Sequence, residues 1–375
     1  MKVTDLKTTL LNCELMGYSE NRYFYSEPLG TGRVYFSERP LMIIEIFTDE
    51  GLIGVGTHCH SLPPKLFAAT VESMKDLVVG EDPLMVERIW NKLYRATFRY
   101  GRKGAIIGAM SAIDIALWDL RGKAANLPLY KLLGGYLEKV PVYASGGYFR
   151  ERDDIAHLVR DVTSWVDRGY TAVKFKIGAL GIDHDVARVK AVREAVGPDI
   201  RIVVDSVGGY PNPFTAIQVA RLLEEFDIWW FEEPLNSDDV DGLAEVRHAT
   251  DLPIASGETE YTRYGFRELI AKRAVDILMP DAGICGGVTE FRKIAAMAAA
   301  YDLPVVPHRA TEINMHLLAS IPNGLIVESF PLETELWDVM FVDPIHIENG
   351  YIHLPDKPGL GIEFDQQAIE KYRTH

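Results

Sequence analysis

Thr171-Ala-Val-Lys-Phe-Lys-Ile-Gly178 and Ile228-Trp-Trp-Phe-Glu-Glu-Pro234 are the two stretches on which the fold is decided. Each is a short apolar run that ends in charged residues, and each gives way to a segment of helical period. Six more runs share that form: VPVYASG (140–146), IRIVVDS (200–206), LPIASGE (252–258), VDILMPD (275–281), LPVVPHR (303–309) and LIVESF (325–330). The segments between them, such as DIAHLVRDVTSWVDRG (154–169) and FRKIAAMAAAYD (291–302), repeat apolar residues at three and four spacing. Eight strand-then-helix units predict a closed barrel with helices outside. A doubly wound open sheet is the alternative. The near-regular spacing, and the lack of a G-x-G-x-x-G turn after a strand, argue against it.

Outward from these runs the pattern changes. VTDLKTTLLNCEL and PLMIIEIFTDEGLIGVG read as antiparallel strands, with a tight turn at Asp49-Glu50-Gly51. Between them, from Gly17 to Arg39, lies a polar, aromatic-rich stretch expected to be a long loop, the kind that often serves as a lid. Residues 62–134 read as helices. The organisation expected is therefore an α+β capping domain over 1–134 with a lid near 17–39, a barrel over 135–334, and a C-terminal segment over 335–375 that could pack back on the cap.

Composition excludes several functions. The chain has 375 residues, 47% of them hydrophobic, and carries a formal charge of −15. It offers no global positive field for nucleic acid or an anionic membrane. No apolar run is long enough to span a bilayer. The three cysteines, Cys13, Cys59 and Cys285, form neither a metal knuckle nor a C-x-x-C pair, which suits a reducing compartment. With no signal-peptide pattern at the start, a cytoplasmic protein is expected. Neither a phosphate-cradling glycine loop nor a nicotinamide fingerprint is present.

In a barrel of this kind the active site lies at the C-terminal ends of the strands. The ionisable residues fall there: Lys174 and Lys176, Asp205, Glu232-Glu233, Glu258, Asp281, His308-Arg309 and Glu328. Taken singly, an Asp or Glu after a strand is commonly a helix cap, a lone His a hydrogen-bonded structural residue, and K-x-K surface decoration. Their recurrence at one relative position on consecutive strands weakens those readings. Alternation places Lys174 and Lys176 on one side of their strand. Carboxylates from the third, fourth and fifth strands would repel one another and resist ionisation unless a hard cation joined them. Oxygen-only ligands suit magnesium or manganese, with Asp205, Glu232 and Glu258 as the candidate ligands. Glu232 and Glu233 cannot both point inward, and periodicity alone does not choose between them. A lysine beside a cation has its pKa lowered and can act as a general base. His308, oriented by Asp281, is the candidate on the other side. Two bases flanking a metal-held carboxylate suit abstraction of the adjacent carbon proton to give an enediolate.

The ordered set K-F-K at 174–176, V-D at 204–205, F-E-E-P at 231–234, G-E at 257–258, P-D-A-G at 280–283, His308 and Glu328 resembles the enolase superfamily, and within it the mandelate racemase-like subgroup. The resemblance covers essentially the whole chain. It implies a modified (β/α)7β TIM barrel, α/β in class, under an α+β cap, with one Mg2+ per subunit and homo-oligomeric assembly as dimers or octamers. It makes Asp205, Glu232 and Glu258 the metal ligands. Lys176 would be the base on one face and His308, paired with Asp281, the base on the other. Lys174 would neutralise the substrate carboxylate, and Glu328 would hydrogen-bond the enediolate as the protonated acid. The 17–39 segment matches the specificity lid, with Arg22, Tyr23, Arg33, His58 and His60 as candidate substrate contacts. The chain departs from the subgroup at Val207, where many relatives carry an asparagine. Arg309, directly after His308, could bind a distal carboxylate. A polar, tyrosine-rich lid suits a hydroxylated substrate, so dehydration of a sugar acid is the expected reaction. Racemisation or epimerisation of a hydroxy acid and lactone cycloisomerisation follow from the same intermediate. A purely structural or metal-binding barrel would not need both bases and the carboxylate cluster.

Overall fold

The structure is a computed structural model that describes residues 1–14, 22–26, 33–36, 38–58, 64–331 and 339–374. The chain opens with β1 (Val3–Glu14), β2 (Tyr23–Ser26), β3 (Arg33–Phe36), β4 (Glu38–Thr48) and β5 (Ile53–His58). β4 pairs antiparallel with both β1 and β5, and the β4–β5 turn falls at Asp49-Glu50-Gly51, where Gly51 takes a φ of +80°. Five helices follow: α1 (Pro64–Ser73), the one-turn α2 (Lys75–Val78), α3 (Val86–Thr97), the long α4 (Ala105–Ala125) and the one-turn α5 (Leu129–Leu132). α4 is apolar on nearly every side and buried through most of its length, because the cap sheet packs on one flank and the barrel on the other.

The barrel comprises β6 (Lys139–Gly146), β8 (Ala172–Lys176), β9 (Arg201–Asp205), β10 (Ile228–Glu232), β11 (Ile254–Ser256), β12 (Ile277–Leu278), a bridge strand at Val305 and β13 (Val327–Ser329). A short β7 (Phe149–Arg150) interrupts this count just beyond β6. Neighbours pair in parallel, and β13 pairs with β6 to close the ring. The intervening helices are α6 (Asp154–Asp167), α7 (Ile182–Val196), α8 (Pro213–Leu223), α9 (Val240–Ala249), α10 (Thr262–Ala271), α11 (Gly287–Ala299) and α12 (Thr311–Leu318). The eight runs read from the sequence are these eight strands. β8 shows why: Val173 and Phe175 pack outward on the helices, while Ala172 joins the interior layer with Tyr143, Val203 and Trp230.

Within the 17–39 stretch, the described residues differ from the expected loop. β2 and β3 form an antiparallel hairpin, and β2 also pairs with β7. The aromatic alternation Tyr23-Phe24-Tyr25 facing Val34-Tyr35-Phe36 is a strand signal that the surrounding polar residues obscure. The C-terminal segment does reach the cap. β14 (Ile347–Glu348) and β15 (Tyr351–His353) extend β6 antiparallel. α13 (Gln366–Tyr372) then packs Ala368 and Ile369 against Leu11, Leu41 and Ile43 of the cap sheet. No helix among the described residues is long and apolar enough to cross a membrane.

His316 of α12 is fully buried, with Nε2 3.0 Å from the Leu360 carbonyl and no partner at Nδ1. Burial pushes its pKa down to about 4, and the Leu360 carbonyl only partly offsets this. The unfolded chain therefore takes up this proton first. The associated stability is complete above pH ~6.5 and falls as pH drops toward 4, by roughly 3 kcal/mol. Thermal melts of His316→Asn should show a lower midpoint at pH 7 but a shallower decline between pH 7 and 4 than the parent protein. An unchanged decline would assign the acid sensitivity to other groups.

Candidate metal and proton-transfer site

Alternation along the strands delivers the charges to one end of the barrel. Lys174 and Lys176 project inward from β8 and are buried, as are Asp205 at the end of β9 and Glu232 at the end of β10. Lys174 Nζ contacts Glu232 Oε1 and lies 2.7 Å from Glu328 Oε1 and 3.4 Å from Asp205 Oδ2. Lys176 Nζ contacts Asp205 Oδ2 and sits over the Tyr148 ring at 5.6 Å. Asp205, Glu232 and Glu258 each offer an oxygen within 4.8 Å of the others.

On the far side of this cluster His308 follows the Val305 bridge strand. Its Nδ1 is 2.8 Å from Asp281 Oδ2, and its Nε2 faces Glu258 Oε2 at 3.4 Å and Glu328 Oε2 at 3.8 Å. Asp281 is held in turn by the Gly283 amide at 2.6 Å. Burial disfavours the imidazolium, but Glu258, Glu328 and Asp281 outweigh it and raise the His308 pKa to about 9. The His308 and Arg309 carbonyls both accept from the Asn314 side chain, which anchors the turn.

The neighbouring side chains bias the ionisation of Glu328 and Lys176. Burial alone would favour a neutral Glu328. Lys174 and His308 outweigh it and hold the carboxyl well below its usual range, and the Arg309 amide donates to Oε2 at 2.7 Å. These neighbours favour the carboxylate form of Glu328. The lowered pKa expected of Lys176 requires a cation beside it. Burial does oppose its charge, but the Asp205 carboxylate dominates and the pKa lies above its ordinary value.

The ambiguity between Glu232 and Glu233 resolves in the backbone. Glu232 shares the inward side with Trp230, whose indole N–H donates to Glu232 Oε2 at 3.1 Å. Glu233 adopts a φ of +44° and turns aside, accepting from Ser256 Oγ, the Gly257 amide and Ser237 Oγ. It braces the loop that carries Glu258. Val207, at φ +52°, has no polar side chain, yet its amide donates to Asp205 Oδ1 at 2.9 Å and fixes that carboxylate.

Ser145 was not singled out from the sequence. It shares the inward face of β6 with Tyr143, lies in register with Lys174, and its buried hydroxyl has no partner. The inward alternation Tyr143–Ser145 was the available signal. Of the lid candidates, Tyr23 joins Tyr148 and Phe330 in an aromatic cluster, and the Phe330 ring meets the His308 ring edge-on. Arg22 and Arg33 lie on the other face of the hairpin. Arg22 pairs with Glu151 at 2.5 Å, and Arg33 stacks on Phe24 at 4.7 Å. Arg309 is largely buried, its guanidinium 5.5 Å from the Phe330 ring. The His58 side chain and all of His60 lie outside the described residues.

The donor set fits a hard divalent cation. Burial pushes Glu232 toward the neutral acid against the pull of Lys174, and Asp205, Glu328 and Glu258 reinforce that push. Glu258 Oε2 is buried without a hydrogen bond. A cation accepting one oxygen from each residue relieves both costs, and three carboxylates with no thiolate or imidazole suit Mg2+ or Mn2+.

Comparison with known proteins agrees with this geometry. Residues 18–134 match the mandelate racemase / muconate lactonizing enzyme N-terminal domain, and residues 157–368 match the enolase C-terminal domain-like family. The chain is 38% identical to an arabinonate dehydratase of Saccharolobus solfataricus, across 90% of this chain and 92% of that protein. It is 34% identical to a D-galactarolactone cycloisomerase of Agrobacterium fabrum, across 100% and 99%. A racemase from Streptomyces coelicolor, solved with bound magnesium, superposes with a TM-score of 0.91 at 29% identity, across 99% and 100%. The capped barrel, its acidic triad and these matches establish that the chain belongs to the mandelate racemase / muconate lactonizing enzyme-like subgroup of the enolase superfamily, as a metal-dependent enzyme of lyase or isomerase type.

Proposed function

We propose that this protein is a magnesium-dependent acid-sugar dehydratase. The observation that carries the reading is the pair of proton-transfer groups, Lys176 and the His308–Asp281 dyad, set on either side of the Asp205–Glu232–Glu258 triad. The similarity to an arabinonate dehydratase across nine-tenths of the chain supports the substrate class. When bound, the cation supplies Lewis-acid stabilisation of the charge that develops on the substrate carboxylate. Lys174 adds a fixed positive charge beside that carboxylate, and the Ser145 hydroxyl adds a donor. Lys176 or His308, whichever faces the C2 proton, removes it to give the enediolate. His308 as imidazolium then passes a proton to the departing C3 hydroxyl. Water leaves, and the enol tautomerises to a 2-keto-3-deoxy acid. Tyr23, Tyr148 and Phe330 form the wall that excludes bulk water, and Arg309 is available to a distal carboxylate of a diacid.

The full-length similarity to a lactone cycloisomerase favours a second outcome from the same intermediate, in which ring opening replaces loss of water. Incubation with Mg2+ and a panel of mono- and diacid sugars and their lactones in deuterated water, followed by proton NMR and mass spectrometry, separates the two. Dehydration gives a 2-keto-3-deoxy product. An isomeric product of unchanged mass before exchange points to cycloisomerisation, and C2 exchange alone to racemisation.

Two sets of variants test the roles. Lys176→Ala and His308→Asn should each lower kcat by about 10²- to 10⁴-fold, and each should abolish C2 exchange for only one of a pair of C2 epimers. In the metal-stripped protein, Mg2+ should raise the melting temperature in a concentration-dependent way, and Glu258→Gln should shift that dependence to at least ~10-fold higher Mg2+. A Mg2+ response that survives Glu258→Gln unchanged would remove Glu258 from the ligand set.

A further inference from the structure

Behind Lys176 lies a buried cation that the proposed chemistry does not use. Arg188 of α7 is fully buried, and its guanidinium is shared among three acceptors. Nε donates to the Lys176 carbonyl at 3.1 Å, one terminal nitrogen to the Gly147 carbonyl at 2.5 Å, and the other to Asp154 Oδ2. Gly147 O also accepts from the Lys176 amide at 3.3 Å, so one carbonyl ties the end of β6 to the end of β8. That carbonyl is presented by a backbone at φ +55°, where an added Cβ would fall 2.3 Å from Phe175 Cβ. Asp154 is itself oriented by the Arg150 amide at 2.8 Å and by His184 Nε2 at 3.0 Å.

The same guanidinium reaches the lid. It stacks on the Phe149 ring at 4.2 Å, and Phe149 stacks on Phe24 of β2 at 5.4 Å with the rings 18° apart. Phe24 and Phe149 are also backbone partners in the β2–β7 ladder. A second tie runs alongside: Ser26 Oγ of β2 donates to the Gly178 carbonyl at 3.1 Å, just past Lys176, and the Gly178 amide donates to Asp185 of α7 at 2.9 Å. The lid hairpin and the Lys176 backbone therefore share one support, and that support is α7.

We propose that Arg188 is a positioning residue that sets the backbone at Lys176 and couples it to the docked lid hairpin. The fork geometry is essential to this role. A lysine ammonium has no planar face to stack and no rigid fork to span two carbonyls and a carboxylate. The inference rests on the reading of Lys176 as a base on one face of the substrate, and it goes beyond that reading by assigning what holds Lys176 there. A buried ion pair serving stability alone would affect both proton-transfer groups alike. A support for Lys176 would affect only one.

The test uses Arg188→Met and, as a variant that leaves the charged network in place, Phe149→Leu, with melting curves to confirm that each folds. Amide hydrogen exchange followed by mass spectrometry needs no substrate. Exchange in peptides covering 23–26, 145–150 and 174–178 should accelerate about tenfold in both variants, while β1, β4 and β5 stay at the parental rate. Unchanged lid exchange in both variants would overturn the coupling. With a pair of C2-epimeric sugar acids in deuterated water, Arg188→Met should slow exchange of the epimer that depends on Lys176 by about 10- to 100-fold and leave the His308-dependent epimer within about threefold. Equal losses on both faces would overturn the positioning role. If the parental enzyme exchanges neither epimer of any acid while binding Mg2+, the proposed reaction is what fails, and the amide-exchange result still decides whether Arg188 links the lid to β8.

Discussion

The constraint on which this structure turns is the desolvation of charge at one end of a packed barrel. Lys174, Asp205, Glu232, Asp281 and Glu328 are completely buried, and Lys176, Glu258 and His308 nearly so. An isolated ion at such a depth costs several kcal/mol, and the cost falls only where opposite charges or hydrogen bonds meet it. Nearly every local feature near the site answers that demand. Lys174 bridges Glu232 and Glu328, Lys176 takes Asp205, and His308 takes Asp281. Backbone amides at Val207, Gly283 and Arg309 complete the carboxylates. What these contacts leave unmet are the crowded Glu232 and the Glu258 Oε2 without a hydrogen bond, and with Asp205 these mark the candidate cation site.

The backbone near the strand ends is shaped by the same demand. Val207, Glu233 and Arg309 all take left-handed conformations, which are costly for residues with a Cβ. At each position the departure from the strand turns a polar group toward or away from the cluster: the Val207 amide toward Asp205, the Glu233 carboxylate toward the loop before Glu258, the Arg309 amide toward Glu328. Strain held at a site in this way is the usual partner of preorganised chemistry. The surrounding helices and the cap supply the packing that sustains it, and α4 lies between cap sheet and barrel as the common wall.

The β2–β3 hairpin and the barrel meet through aromatic surfaces on the hairpin's two faces. One face, with Tyr23 and Tyr25, covers the cluster together with Tyr148 and Phe330. The other, with Phe24, rests on Phe149 and so on Arg188. Placing hydrophobic side chains over a charged site lowers the local dielectric and strengthens every interaction beneath it. It also explains why Arg22 and Arg33, which the sequence offers as substrate contacts, sit elsewhere. Alternation in β2 and β3 assigns them to the outward face, where Glu151 and aromatic rings engage them.

Pattern along the chain was enough for the eight-strand barrel, the positions of the ionisable residues at the strand ends, and the placing of Lys174 and Lys176 on one side of their strand. Each of these follows from a local period of two or from the repeat of strand and helix, and such periods survive in a single chain. Contacts between distant parts of the chain supplied the physical basis for the rest. The tertiary structure separated Glu232 from Glu233 through a backbone twist that no period encodes. It paired Glu328 with Lys174, 154 positions earlier in the chain, at 2.7 Å. It placed the described part of the expected loop in paired strands, because β2 finds partners in β3 and in β7, far along the chain. It also set Ser145 in register with Lys174 and Arg188 against the Lys176 carbonyl, the latter a residue that nothing in its own stretch of sequence singles out. Charge state and contact are properties of three-dimensional neighbours, whereas strand and helix are properties of the pattern along the chain.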